Sequence, residues 1–404
     1  MVPPSIRTRA AVRPEIQALR AIAVCAVVLH HGWPAVAPAG YMGVDVFFVV
    51  SGFLITALLL REHARTGRIS LKDFYLRRAR RILPAAMAVL VAVTVLTYLV
   101  VPRIEWRSYF REVIASALYF ENWLLAADSQ DPARDDLAST PVQHFWSLSV
   151  EEQFYLVWPL LIIAAIAIAV RASRDPRRAL LVVLGLATAA SFAWNVVLTA
   201  QDHNLAYFST FTRVWEFGVG GILAVVVPEA ASGRERLRAA VGWLGLALIA
   251  VPILVFRTPE VFPGLVVLVP VAGALAVIWA GMPAARWSPA RATGLAPVQW
   301  TGDISYSLYL WHWPIFMFVP FITGVPSPPW LMGLLVVASF AVAAASKRWI
   351  EDPARFGLAG ARRPRSALLL GSFVTLAALV VAAGIVGPNA AGAEACERPA
   401  QTGE

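Results

Sequence analysis

Apolar runs of about 18–22 residues recur along nearly the whole chain, each the length of an α-helix that crosses a hydrocarbon core of ~30 Å. The pattern predicts eleven of them, at about 15–35, 41–60, 82–101, 147–170, 179–200, 211–228, 239–256, 264–281, 303–323, 329–347 and 366–387. The expected fold is all-α: a polytopic transmembrane helical bundle with ten helices over 15–353, a linker at 354–365 and an eleventh helix at 366–387. An arm at 1–14 precedes the bundle and a polar tail at 388–404 follows it. Arg7, Arg9 and Arg13 ahead of the first run mimic a signal peptide. Charge within that run and the lack of a small-residue cleavage site make it a retained first span.

The informative positions are the polar ones inside the apolar runs. The first run carries Arg20, His30 and His31, and the second carries Asp45. An ionisable group at a helix centre in lipid costs at least ~2.5–3.5 kcal/mol unless it is solvated or paired. At ~100° per residue, Arg20 and His31 differ by roughly 20° around the axis, whereas His30 sits about 80° away from His31. Arg20 and His31 therefore share a face, about 16 Å apart along the helix, which sets polar groups at two depths. The chain leaves the membrane around Trp33 and re-enters near Tyr41, so His31 and Asp45 are expected at similar depth. Gly40, Gly43 and Gly52 permit close helix approach there. An Asp beside a His can hold one tautomer and stabilise the imidazolium formed on proton uptake.

Composition narrows the class. With 404 residues, 59% apolar, only 15% charged, and a mean hydropathy of +0.66, the chain is too hydrophobic for a soluble globule. The net charge of +9 does not imply a nucleic-acid partner, because the arginines sit in short loops as a positive-inside topology requires. With the N-terminus cytoplasmic, 26 of the 34 Lys and Arg fall on the cytoplasmic side. That asymmetry predicts a multi-pass protein of the inner (plasma) membrane, surrounded by lipid, with an extracytoplasmic C-terminus. The six histidines and two cysteines show no ligand-type spacing, so no metal is expected. No Walker-type glycine loop is present.

Further segments carry chemistry. Arg77, Arg78, Arg80 and Arg81 lie in the loop before the third span. A topogenic role explains such a cluster, and the Arg78-x-x-Arg81 spacing also sets two guanidinium forks on one helix face, suited to phosphate. The fourth and sixth spans start outside with His144 to Tyr155 and with Arg213-Val214-Trp215-Glu216. There Glu151 or Glu216 neutralises Arg213 in a structural ion pair, or the charges contact substrate; Glu152 is expected in the site, since intramembrane carboxylates usually line a cavity. Tyr309 and His312 share a face of the ninth span, either as packing residues or as cofactor contacts. Lys347 to Pro353 reads as a structural stop. The long connection 101–143 holds a helix-like stretch, Glu105 to Ala126, then Asp128, Asp131, Asp135 and Asp136. It is either a lid over an external site or a solvated amphipathic cap.

In order over roughly 14–353 stand Pro14-Glu15-Ile16-Gln17-Ala18-Leu19-Arg20 running to His31, Gly43-Val44-Asp45-Val46-Phe47-Phe48-Val49-Val50-Ser51-Gly52-Phe53 and Arg78-x-x-Arg81. Trp146-Ser147-Leu148-Ser149-Val150-Glu151-Glu152-Gln153-Phe154-Tyr155 and Tyr306-Ser307-Leu308-Tyr309-Leu310-Trp311-His312 follow. Together these resemble the acyltransferase 3 family of integral membrane acyltransferases. The resemblance implies O-acyl transfer from cytoplasmic acyl-CoA, acetyl-CoA by default or succinyl-CoA, to a hydroxyl on the outer side. The acceptor it implies is a cell-envelope glycan or lipid-linked sugar, with a small natural product such as a macrolide as the alternative. His31 takes the place of the family's essential His and Arg20 that of its partner, while Gln17 stands where the family usually has Asp.

On this basis His31 is the expected base, with Asp45 or Glu152 orienting it; an acyl-histidine intermediate is the second choice. Arg78, Arg81, Arg20, Ser51, Tyr309 and His312 are expected to hold the donor, and Trp146, Glu151, Arg213, Trp215 and Glu216 the acceptor. Larger members of the family append an external domain of the SGNH type. The tail 388–404, with its unpaired Cys396, is accordingly expected to be the start of such a domain, a naturally short enzyme being the alternative. A transporter of a small anion or sugar is the competing class, against which stands the lack of an inverted repeat.

Overall fold

The structure, a computed structural model, describes residues 13–131, 139–227, 234–325, 327–356, 371, 372, 374–381 and 384. It is built of helices, with no strand among the described residues. In chain order they are α1 (Pro14–Gly32), α2 (Gly43–Thr66), α3 (Leu71–Val100), α4 (Trp106–Ala117) and α5 (Glu121–Asp128). Next come α6 (Phe145–Arg171), α7 (Pro176–Gln201), α8 (His203–Phe208), α9 (Thr210–Val226) and α10 (Glu235–Val255). The last are α11 (Leu268–Ala280), α12 (Ala290–Thr293), α13 (Ala296–Thr323), α14 (Pro329–Ser346) and α15 (Asp352–Phe356). A turn of π-helix, Lys347–Glu351, joins α14 to α15.

Among the described residues, six helical stretches are long and apolar enough to cross a membrane: Gly40–Thr66, Leu71–Val100, Phe145–Arg171, Pro176–Gln201, Glu235–Val255 and Pro329–Phe356. The chain is thus a multi-pass membrane protein. The helices richest in polar motifs, α1 and α13, pack against each other inside the bundle, as the cost of placing charge in lipid demands.

Local signals set the helix ends. Pro14 opens α1, where its missing N–H costs nothing. Gly67 closes α2 in the left-handed conformation (φ 70°), returning its N–H to the His63 carbonyl at 2.8 Å. Ser70 caps α3 by accepting the Asp73 N–H. That cap starts the third helix at Leu71 instead of the expected 82, so Arg77 to Arg81 belong to the helix and not to a loop. The span expected at 264–281 is realised as the shorter α11.

The helix-like stretch expected over 105–126 breaks at Tyr119 (φ 57°) into the α4–α5 hairpin. The hairpin is packed into the bundle and not laid over it. The Gln153 amide of α6 donates to the Tyr119 carbonyl and to Asn122 Oδ1, both at 2.9 Å, and Trp123 Nε1 donates to Gln153 Oε1 at 3.0 Å. Asp135, Asp136, Cys396, the linker 354–365 apart from 354–356, and the tail lie outside the described residues. Of the eleventh span, residues 371, 372, 374–381 and 384 are described and helical.

Backbones meet closely around α1. A Cβ at Gly40 or Gly43 would overlap the carbonyls of Ala26 and Ala23 on α1, and one at Gly302 of α13 would overlap the carbonyl of Gln17. Helix α1 is therefore wedged between the start of α2 and α13, main chain against main chain. Gly52 of α2 meets the Phe217 carbonyl of α9 in the same way.

Candidate active site

Two cavities lie along α1, one at each depth that its shared Arg20–His31 face marks out. The first, a slot of about 80 Å³, is lined by Arg20, Ser51, Arg78, Arg81, Glu151, Glu152, Tyr155 and Tyr309 among others. Arg20 Nη1 donates to Gln17 Oε1 at 2.9 Å, so the residue at the departure from the family motif orients this guanidinium. The Arg78 guanidinium lies 4.1 Å over the Tyr155 ring, a stacking that a planar fork makes and an ammonium does not. Glu151 accepts hydrogen bonds from the Ser51 and Tyr155 hydroxyls. Arg78 Nε is buried with no hydrogen-bond partner among the described residues, and an orphaned guanidinium N–H in a slot with three arginines is suited to an anion.

The second cavity, about 210 Å³, is lined by His31, Tyr41, Gln143, His144, Trp146, Tyr207, Tyr309 and Trp313 among others. His31 Nδ1 lies 2.9 Å from His312 Nε2 on α13, with the two ring planes only 8° apart, and the Trp313 indole packs 4.4 Å from the His31 ring. The tautomers follow from the partners. His312 Nδ1 faces the carbonyls of Leu308 and Tyr309, at 3.1 and 2.8 Å, and carbonyls only accept, so this nitrogen carries the hydrogen. The Nε2 of neutral His312 is then an acceptor, and His31 must donate to it from Nδ1. His31 Nε2 is left with its lone pair, the form a general base needs. His30 plays a different part. Its Nδ1 bonds the Ala37 carbonyl at 2.9 Å and its ring packs against Tyr41, pinning the loop after α1.

Tyr309 and Val44 line both cavities. The Tyr309 hydroxyl donates to the His144 carbonyl at 3.1 Å and meets the Ser147 hydroxyl at 2.6 Å. This side chain forms the partition between the arginine slot and the His31 chamber.

Several expected groupings are rearranged. Asp45 does not orient His31; it accepts from Arg213 Nη2 at 2.5 Å. Arg213 Nη1 also lies 3.1 Å from Glu216 Oε1, and all three residues are fully buried. Arg213 and Glu216 thus line neither cavity and form a buried ion pair that also takes in Asp45. Trp215 is buried against Phe192 at 5.0 Å, also away from both cavities. Glu151 and Glu152 lie in the arginine slot instead of beside His31. Because α3 starts at Leu71, Arg78 and Arg81 are part of that helix and face the same slot as Glu151 and Glu152 of α6.

Trp146 does line the His31 chamber, and His312 serves as the partner of His31. Tyr155, Ser147, His144, Tyr207 and Trp313 were not singled out by sequence. Only Tyr155 carried a signal, four residues from Glu151 on one helix face. Among the described residues no group of three or more His, Cys, Asp or Glu could hold a metal ion.

Comparison with known proteins gives the family. A family model described as an acyltransferase domain matches residues 13–348. The chain is 31% identical over 354 residues to the peptidoglycan O-acetyltransferase OatA of Listeria monocytogenes, covering 85% of this chain and 56% of that protein. It is 30% identical over 355 residues to the O-acetyltransferase OatA of Staphylococcus aureus, covering 85% and 57%. The chain thus spans little more than half the length of these curated relatives. No solved structure matches.

Proposed function

This chain belongs to the acyltransferase 3 family, and from that footing we propose that it transfers an acyl group from acyl-CoA to a hydroxyl of a cell-envelope glycan. Acetyl is the first choice of acyl group, because both relatives named above are O-acetyltransferases, and peptidoglycan is the first choice of acceptor. The N-terminus is cytoplasmic in this reading, ten helices form the core, and an eleventh follows. The arginine slot then opens toward the cytoplasm and the His31 chamber toward the outside.

The observation that carries the proposal is the meeting of the two cavities at Tyr309 and Val44, with three arginines on one side and His31 on the other. Bound coenzyme A supplies an activated thioester carbonyl. Arg78 and Arg81 hold its phosphates, and Arg20 lines the slot that leads to His31. His31 Nε2 takes the proton of the acceptor hydroxyl as that oxygen attacks the thioester carbonyl, and His312 keeps the His31 ring in the required tautomer. When the C–S bond breaks, the imidazolium returns the proton to the departing thiolate, so the histidine ends as it began. Trp146 and Tyr207, packed 4.7 Å apart in the chamber, offer aromatic faces to a sugar ring.

The test is transfer of radiolabelled acetyl from acetyl-CoA to peptidoglycan fragments by the purified protein in nanodiscs. Removing the base in His31→Ala should lower the rate by ~10²–10⁴-fold while insertion and folding stay intact. Full activity in that variant refutes the assignment of His31, and solute flux through vesicles without ester formation refutes acyl transfer.

A further inference from the structure

The α4–α5 hairpin buries two carboxyls that the reaction above does not use. Glu112 of α4 is 6% exposed and Glu121 of α5 is 0% exposed, and the two are close enough to act on each other's ionisation. Two neighbouring carboxyls buried this deeply do not both ionise, so the pair holds at least one proton. Neither carboxyl oxygen of Glu121 has a hydrogen-bond partner among the described residues. Glu112 also accepts a hydrogen bond from the Thr140 hydroxyl.

From Thr140 the contacts run to the reaction centre. The Thr140 carbonyl accepts the Trp313 indole N–H at 2.8 Å, and the Trp313 ring packs 4.4 Å from His31. The segment that follows Thr140 supplies Gln143 and His144 to the chamber wall, and Ser139 just before it does the same. Arg111 faces the carboxyl pair but is committed to Asp128 through hydrogen bonds of 2.6 and 2.8 Å. Tyr109, on the same helix, and Asp128 of α5 are further titratable neighbours of Glu112. Glu151 and Glu152 of α6 act on the hairpin at Tyr119.

We propose that Glu112 and Glu121 are positioning residues of the acyl-transfer site, a carboxyl pair that shares a proton and fixes Thr140, and through Trp313 the ring of His31. The proposal rests on His31 as the base. While the proton is held, the pair is compact and the 139–144 segment stays seated. Its loss sets two adjacent anions in a buried site and drives the hairpin from that segment. Burial raises Glu112 to about 7, and burial, then the Glu112 charge, hold Glu121 well above the usual carboxylate range. The positioning is therefore present at neutral pH and fails on the alkaline side.

The test is the pH profile of kcat for acetyl transfer by the intact protein in nanodiscs. Glu121→Gln donates to Glu112 without ionising, so it should keep near-normal kcat at pH 7 and lose the alkaline fall seen in the parent. Glu112→Ala releases Thr140 and should lower kcat about tenfold, within the ~100-fold that a 1 Å misplacement costs, with the KM for acetyl-CoA unchanged. A Glu121→Gln profile identical to the parent's overturns the proposal, and this variant decides should Glu112→Ala fail to fold. Absence of transfer in the parent protein refutes instead the functional reading on which the proposal rests.

Discussion

The His31–His312 pair makes a quantitative claim. Truncation in His312→Ala removes the acceptor 2.9 Å from His31 Nδ1, in a position that is 0% exposed. A neutral hydrogen bond of this kind contributes ~0.5–1.5 kcal/mol net, and that energy biases His31 toward the tautomer with a free Nε2. Its loss should lower kcat by about 2- to 13-fold, at 1.36 kcal/mol per decade, well short of the ~10²–10⁴-fold expected for removing the base itself. His312→Gln provides an amide oxygen as acceptor and should recover most of the lost kcat. Initial rates with varied acetyl-CoA separate positioning from donor contact, because positioning lowers kcat at constant KM. A His312→Ala protein that matches the parent refutes the positioning role. So does a variant with a raised KM for acetyl-CoA at constant kcat, which would make His312 the donor contact that its spacing from Tyr309 suggested.

Two other substitutions probe the rest of the constellation. Arg78→Lys keeps the charge but loses the planar face over Tyr155, so the KM for acetyl-CoA should rise about tenfold with little change in kcat; an unchanged KM argues against donor binding at Arg78. Asp45→Ala leaves Arg213 with only Glu216, and breaking a buried pair in this way costs ~3–5 kcal/mol. A lower Tm and a loss of monodisperse protein in detergent are expected. A stable Asp45→Ala protein defective only in acceptor binding contradicts the structural role.

The all-helical membrane class and the two depths of Arg20 and His31 were legible because both follow from helix periodicity along one segment. So was the shared face of Arg78 and Arg81, which line one slot. The partners of Asp45 were not legible. Its sequence depth matches His31, but rotation about α2 directs it to Arg213 on α9, and no single-helix rule sets the phase of one helix against another. Glu152 was expected at the outer end of the fourth span beside His31, but it shares a slot with arginines that were read as a loop; the Ser70 cap starts α3 eleven residues before 82 and makes them helical. The role of His312 depended on carbonyls of its own helix fixing its tautomer, a detail that only coordinates reveal. The α4–α5 hairpin read equally well as a lid or a solvated cap, because its bonds to Gln153 are long-range.

The wedging of α1 has a consequence for the membrane as a barrier. With Gly40, Gly43 and Gly302 pressing their main chains onto its carbonyls, α1 can neither slide nor turn without opening those seams. A protein that rocks between two faces needs such freedom, and this one lacks it at its central helix. Opening between slot and chamber therefore falls to a side chain, the Tyr309 ring and its hydroxyl contacts. A slender acyl arm that displaces the ring also fills the gap it leaves. In the proposed reaction the donor can thus reach His31 without the bundle standing open to protons or ions.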